Sequence, residues 1–187
     1  MQRVFIIHGW GGNPQEAWMP WLDRELTAAG FDVKRLPMPH PDEPTIRDWV
    51  QTLAHAVGMP DADTHFVGHS VGCQTIMRHL AQLPASTKVG KLVLVAPWFG
   101  LVNLEPGEGP IAQPWLETPI DTDRVRTIAR EILAIFSDDD PVVPKDNVEM
   151  YRERLSAHTV VLHAKGHLSE DSGVTELPEA RDFLVSI

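Results

Sequence analysis

The sequence predicts a three-layer α/β sandwich, in which a mostly parallel six-stranded sheet carries helices on both faces. Short apolar runs rich in Val and Ile recur along the chain, which is typical of strands buried on both sides. Most of these runs are followed by a segment with helical spacing of apolar residues, and strand–helix alternation indicates a parallel sheet. Since 187 residues are about the length of one domain, we expect a single domain over residues 1–187.

The predicted strands cover, in chain order, residues 4–7, 31–36, 64–67, 91–95, 132–136 and 159–162. The second strand has the weakest signal, because polar and apolar residues alternate in it. Helical spacing is clearest over residues 71–83 and 147–155. Right-handed crossovers bring the carboxyl ends of parallel strands to one edge of the sheet. We therefore expect functional residues directly after the strands.

Residues 97–123 interrupt this alternation. They contain five prolines and three glycines and have no clear periodicity. Long irregular segments inside a compact domain are more often functional than idle. Because the segment directly follows a predicted strand, we expect it to form an irregular, lid-like insertion beside a cleft.

Charge and composition exclude several classes of partner. The chain has 16 Lys and Arg against 26 Asp and Glu, a formal net charge of −10. Nucleic acids and anionic membranes need a basic face, so we expect neither as a partner. The single cysteine excludes an intramolecular disulfide, and the first apolar run is too short for a signal peptide. These features favour a cytoplasmic protein that requires no cofactor.

The most informative motif is G-x-S-x-G at residues 68–72, between a predicted strand and a predicted helix. In that context a sharp strand-to-helix turn exposes the hydroxyl of Ser70, and the flanking glycines allow close backbone approach. The amino terminus of the following helix favours negative charge at the same place. Ser70 is therefore a candidate nucleophile, and a glycine-rich turn with an incidental serine is the alternative.

A serine nucleophile needs a base and a residue that orients the base. Candidates for both roles directly follow later predicted strands. His167 lies in a loop after the sixth predicted strand, where it can reach Ser70. Asp138, Asp139 and Asp140 follow the fifth strand, and any of them could be the acid.

His163 and His167 could also be imagined as metal ligands, but no second cluster of ligands supports this, and we expect no metal.

Together these residues carry a resemblance to a known family. The motif at 68–72, the segment Asp140-Pro-Val-Val-Pro144 and the Gly166-His167 loop resemble those of an α/β-hydrolase. The small size resembles, in particular, the serine hydrolases typified by retinoblastoma-binding protein nine and its bacterial YdeN-like relatives. The resemblance covers nearly the whole chain and implies a minimal α/β-hydrolase fold.

The resemblance also implies roles for individual residues. Ser70 becomes the nucleophile, His167 the general base and then acid, and the aspartate directly before Pro-Val-Val-Pro the orienting acid. That pattern selects Asp140, with Asp139 as the alternative. The loop at residues 8–12 matches the oxyanion loop of the family, so the backbone N–H groups of Trp10 and Val71 are expected to bind the oxyanion.

Aromatic and apolar residues near the expected cleft suggest a substrate pocket. We expect it to be lined by Trp98, Phe99, Trp115 and Leu168, together with Trp10, which suits a small, uncharged or weakly charged ester. The predicted function is a carboxylesterase-like serine hydrolase acting through an acyl-enzyme. Two alternatives remain open: a protein-interaction module on the same scaffold, and an acyl transferase or lyase that uses the same triad.

Overall fold

The computed structural model describes residues 1–186, and within them six strands form one sheet. The strands are β1 (Arg3–Ile7), β2 (Asp32–Leu36), β3 (Thr64–His69), β4 (Val89–Val95), β5 (Ala129–Ser137) and β6 (His158–Leu162). Their order in the sheet is β2-β1-β3-β4-β5-β6, and every neighbouring pair is parallel. The predicted fold class is confirmed, with a sheet that is entirely parallel.

Helices cover both faces of the sheet. They are α1 (Met19–Ala28), α2 (Ile46–Val57), α3 (Val71–Ala81), α4 (Glu108–Glu117), α5 (Thr122–Ile128), α6 (Asp146–Leu155) and α7 (Pro178–Val185). One apolar core lies between the sheet and α2, α3, α5 and α6, and a second lies between the sheet and α1 and α7. The central strands β3 and β4 are buried along their whole length. Burial on both faces explains the apolar sequence of β4, whereas β3 also buries Thr64, His65 and His69.

The prediction of irregular structure over residues 97–123 was wrong for its second half, where α4 lies. Pro110 falls in the first helical turn, where an N–H has no partner within the helix. Pro114 lies inside the helix and obscures its periodicity. The guanidinium of Arg78 on α3 donates to the carbonyls of Trp115 and Thr118, both at 2.8 Å, and so ties the end of α4 to the core.

The loops that follow the strands meet at the carboxyl edge of the sheet. They comprise residues 8–12 after β1, Ser70 after β3, residues 96–99 after β4, residues 138–141 after β5 and residues 163–168 after β6. Within residues 1–186, no helix is long and apolar enough to cross a membrane. The parallel order thus brings every segment with a predicted chemical role to one edge.

Candidate active site

Ser70 lies at the sharp turn between β3 and α3. Its φ of 51° and ψ of −118° are unusual for a residue other than glycine. Its backbone N–H donates to the carbonyl of Val95 at 2.9 Å, which fixes the turn to β4. A Cβ on Gly68 would lie 2.7 Å from the nitrogen of Cys73, and one on Gly72 would lie 2.5 Å from the carbonyl oxygen of Ile7. Both glycines are therefore required by close backbone approach.

Asp140 is the aspartate that contacts the imidazole of His167. Its side chain is 2% exposed, and its Oδ2 lies 2.8 Å from Nδ1 of His167. Its Oδ1 accepts from the N–H groups of Val142 and Val143 at 2.9 and 3.0 Å. A carboxylate only accepts hydrogen bonds, so Nδ1 of His167 carries the proton and Nε2 is left as an acceptor.

The two preceding aspartates hold the backbone of the same histidine loop. Asp138 accepts from the N–H of Ala164 at 2.9 Å and from Nδ1 of His163 at 2.6 Å. Asp139 accepts from the hydroxyl of Ser137 at 2.6 Å and from the N–H of Gly166 at 2.8 Å. The hydrogen bond from the backbone N–H of Ala164 is the main cause of the lowered pKa of Asp138. For Asp139 the main cause of the lowered pKa is the hydrogen bond from the hydroxyl of Ser137. The three aspartates thus hold successive parts of the loop.

Ser70 and His167 both line a cavity of about 860 Å³ at this edge of the sheet. Its apolar wall includes Trp98, Leu101 and Leu104 from the segment that leads into α4, and Ile111 from α4 itself. Six carboxylates also line it: Glu16, Asp42, Glu105, Glu108, Glu170 and Asp171. No Lys or Arg is among the described lining residues. The cavity is therefore strongly negative in character.

The loop after β1 is fixed by a buried histidine. Nε2 of His8 accepts from the N–H of Met38 at 3.1 Å, so the proton is on Nδ1, which lies 2.8 Å from the carbonyl oxygen of Gly9 and donates to it. Burial lowers the pKa of His8, which keeps the ring neutral. Within residues 1–186, the N–H of Trp10 has no hydrogen-bond acceptor. Val71 is the first residue of α3, where an N–H finds no partner within the helix.

Besides Trp10, the structure places only one of the predicted pocket residues, Trp98, on the cavity wall. Its indole Nε1 donates to Oγ of Ser70 at 3.3 Å. Phe99 instead stacks on Tyr151 at 4.5 Å, and Trp115 is 2% exposed and donates to the carbonyl of Pro44. Leu168 is fully buried in the core beside α1 and α7. These three predictions are corrected: the side chains turn inward because the core offers apolar contact.

The acidic lining was missed by sequence reasoning. Glu16 precedes α1, whereas Glu170 and Asp171 follow β6 by several residues, so no motif connects them. Burial, followed by the charges of Glu170 and Asp171, raises the pKa of Glu16. This effect indicates that the three carboxylates lie close enough to interact. No group of three or more His, Cys, Asp or Glu within the described residues is arranged to hold a metal ion.

Comparison with known proteins agrees with this geometry. The model of the family described as serine hydrolase matches residues 4–186. YdeN of Bacillus subtilis (strain 168) is 30% identical over 186 residues, which are 99% of this chain and 95% of YdeN. The crystal structure of the B. subtilis ydeN gene product has a TM-score of 0.89 at 29% identity, covering 98% of this chain and 97% of that one.

More distant structures share the fold. Est1E of Butyrivibrio proteoclasticus with bound ferulic acid has a TM-score of 0.72 at 16% identity, covering 99% of this chain and 88% of Est1E. The resemblance inferred from Ser70, Asp140 and His167 is thus confirmed at the level of the family. The chain belongs to the serine hydrolase family.

Proposed function

We propose that the protein hydrolyses small carboxylic esters through an acyl-enzyme. One observation carries this proposal: Ser70 and His167, whose imidazole is paired with the buried Asp140, line a single cavity of about 860 Å³. In the proposed reaction, Nε2 of His167 takes the proton of Ser70 while Oγ attacks the carbonyl carbon of the ester. Asp140 holds the imidazole in the tautomer that can accept this proton.

The tetrahedral intermediate places a negative charge on the former carbonyl oxygen. The N–H groups of Trp10 and Val71 are the proposed donors to it, and such donors typically contribute about 3 kcal/mol each. Collapse of the intermediate breaks the ester bond, and His167 gives its proton to the departing alcohol. His167 then deprotonates a water molecule, which attacks the acyl-enzyme, releases the acid and restores Ser70.

The ester class is supported by the shape and lining of the cavity. Trp98 and the aliphatic side chains beside it provide an apolar surface for an acyl or alcohol group. Among proteins of the same fold, Est1E is known with ferulic acid bound, and a structure from Nitrososphaera gargenis is described among carboxylesterases, with a TM-score of 0.69. We extend this chemistry to the present chain as part of the proposal.

The carboxylate lining further favours neutral or positively charged substrates over anionic ones. None of the six lining carboxylates forms an ion pair with Lys or Arg within residues 1–186. A cleft lined by one sign of charge concentrates ligands of the opposite sign and repels those of the same sign. An ester that carries a carboxylate should therefore react more slowly than its neutral analogue.

Two experiments test the proposal. The first labels the protein with a fluorophosphonate probe, and Ser70→Ala is expected to abolish both labelling and ester turnover, whereas the exposed control Ser86→Ala keeps both. The second compares acetate esters whose alcohols are neutral, carry a trimethylammonium group or carry a carboxylate. Turnover that persists in Ser70→Ala would end the proposal, and a carboxylate ester hydrolysed as fast as the neutral one would end its charge argument alone.

The alternatives from the sequence are separable from hydrolysis. Exposed aromatic side chains beside the cleft would favour the interaction-module hypothesis, but Trp98 and Trp115 are each 2% exposed and do not support it. Acyl transfer or lyase chemistry would use the same Ser70 and His167. Product analysis in the presence of a competing alcohol distinguishes them, because a hydrolase gives the free acid as its main product.

A further inference from the structure

His69, the residue directly before Ser70, is buried against the histidine loop. Its Nε2 lies 2.9 Å from the backbone carbonyl oxygen of His167, and the two rings are 5.1 Å apart. A carbonyl oxygen only accepts, so Nε2 of His69 carries the proton and donates it. The residue is 4% exposed, and water does not compete readily for this bond.

The ring of His69 also contacts the loop after β1. A Cβ on Gly9 would lie 2.7 Å from Nδ1 of His69, so the backbone of that loop packs directly on the imidazole. Trp18 also meets the ring of His69 edge-on, with centroids 6.2 Å apart, and its Nε1 donates to the carbonyl of Leu168 at 3.0 Å. His69 is thus held in one orientation between two loops that the proposed reaction uses.

The backbone around His167 needs such support. Gly166 has a φ of 51° and Leu168 a φ of 55°, so residues on both sides of His167 are in the left-handed region. For Leu168 this conformation is strained and persists only when its surroundings enforce it. The bond from His69 fixes the peptide plane between His167 and Leu168, and the bond from Trp18 fixes the next one.

We propose that His69 is a positioning residue for His167: its Nε2–H, bound to the carbonyl oxygen of His167, sets the direction in which the imidazole faces Ser70. The proposal rests on the proposed function only for its kinetic consequences. Asp140 fixes the ring of His167 through Nδ1, whereas His69 fixes the backbone from which that ring extends. Both constraints are needed to define where Nε2 of His167 lies.

The protonation state of His69 is suited to this task. Burial, followed by the nearby charge of His167, lowers the pKa of His69 to about 3. The ring therefore stays neutral while His167 gains and loses a proton during the reaction. A neutral donor holds the loop at every stage without repelling the imidazolium that forms on His167.

The variants that test this role differ in whether the side chain at position 69 can reach the carbonyl of His167 and donate to it. In His69→Gln the terminal amide nitrogen occupies nearly the position of Nε2 and can still donate to His167. In His69→Asn the amide is shorter by one methylene and falls short of that carbonyl. His69→Leu removes the donor without adding an unsatisfied polar group. His79→Leu is the matched control, because His79 is equally buried but lies on α3 away from the cavity.

The kinetic expectation is a loss in kcat with little change in KM. We expect His69→Asn and His69→Leu to lower kcat by about 10²-fold, a loss that misplacing a catalytic group by about 1 Å can cause. His69→Gln should stay within about tenfold of the wild type, and His79→Leu should leave kcat unchanged. A purely structural role would instead lower activity in proportion to the folded fraction, with no rescue by glutamine.

A second measurement does not depend on turnover. The proton on Nδ1 of His167, bonded to Asp140, can be followed by NMR and assigned by its loss in His167→Ala. We expect this resonance to persist in His69→Gln and to broaden or disappear in the folded Asn and Leu variants. An unchanged resonance and unchanged kcat in His69→Leu would overturn the proposal, as would a glutamine variant no better than asparagine. If the wild type hydrolyses no ester, the proposed function fails, and the NMR comparison still decides the positioning role.

Discussion

Replacing Asp140 by asparagine is expected to remove nearly all turnover while leaving the fold intact. The Oδ1 of an asparagine can still accept from the N–H groups of Val142 and Val143, as Asp140 does now. Its amide, however, would face Nδ1 of His167 and donate to it, which moves the histidine proton to Nε2. In that tautomer His167 has no lone pair for the proton of Ser70. We expect a loss of about 10⁴-fold in kcat, which is about 5.4 kcal/mol in the barrier.

Asp139→Asn is the matched control for this prediction. Asp139 accepts from the hydroxyl of Ser137 and from the N–H of Gly166 through the same oxygen, Oδ1, and an amide oxygen can accept both bonds. The charge is lost in both variants, but only Asp140→Asn changes the tautomer of His167. We expect Asp139→Asn to stay within about tenfold of the wild type. The assay is kcat/KM with a neutral ester together with the rate of fluorophosphonate labelling. A loss of about 10⁴-fold in Asp139→Asn but not in Asp140→Asn would refute the reasoning.

Three further predictions concern stability. Burial lowers the pKa of His65 and His79 to about 4 and that of His69 to about 3, against 6.5 when unfolded. The unfolded chain binds more protons, so this contribution to the free energy of unfolding is fully present only well above pH 6.5 and is lost as the pH falls through 6.5. The loss reaches about 2 kcal/mol per histidine near pH 5, and equal urea midpoints at pH 5 and 7.5 would contradict this. Gly72→Ala forces a Cβ against the backbone of β1 and should lower the free energy of unfolding by about 1–3 kcal/mol, measured by urea unfolding. An unchanged free energy would contradict the close approach of the Gly72 and Ile7 backbones. Trp115→Phe leaves the carbonyl of Pro44 without its donor and should lower the free energy of unfolding by about 1–2 kcal/mol with KM unchanged. A raised KM would instead indicate that Trp115 contacts the substrate.

The strands were predictable because burial on both faces leaves a direct trace in the sequence. The apolar run predicted over residues 91–95 lies within β4, which is buried along its whole length. β5 extends from Ala129 to Ser137, beyond the predicted 132–136. The prediction missed the start of the strand because Arg130 and Glu131 are polar and exposed there. Pairing with β4 continues through these residues, and backbone hydrogen bonding is independent of side-chain polarity. Strand ends are therefore less visible in the sequence than strand centres.

The site was predictable only in part, and the difference is physical. The G-x-S-x-G spacing follows from local steric requirements, because Gly68 and Gly72 each meet backbone atoms closer than a Cβ allows. The pocket wall depends on which way loop side chains turn, and that depends on distant packing partners. Leu168, for example, turns inward beside Trp18, whose indole holds the carbonyl of Leu168. No local pattern in the sequence reports a partner 150 residues away.

The run of three aspartates appeared redundant in the sequence, but each member has a different partner on the same loop. Asp138 binds the N–H of Ala164, Asp139 that of Gly166, and Asp140 the imidazole of His167. His69 in turn donates to the backbone carbonyl of His167. These four hydrogen bonds hold the loop before any reaction, so we expect little reorganisation when charge develops on the imidazole. Rate enhancement by preorganised groups depends on such prior fixation, so an acidic run that could be dismissed as a solvated turn contributes to the site through the backbone it holds.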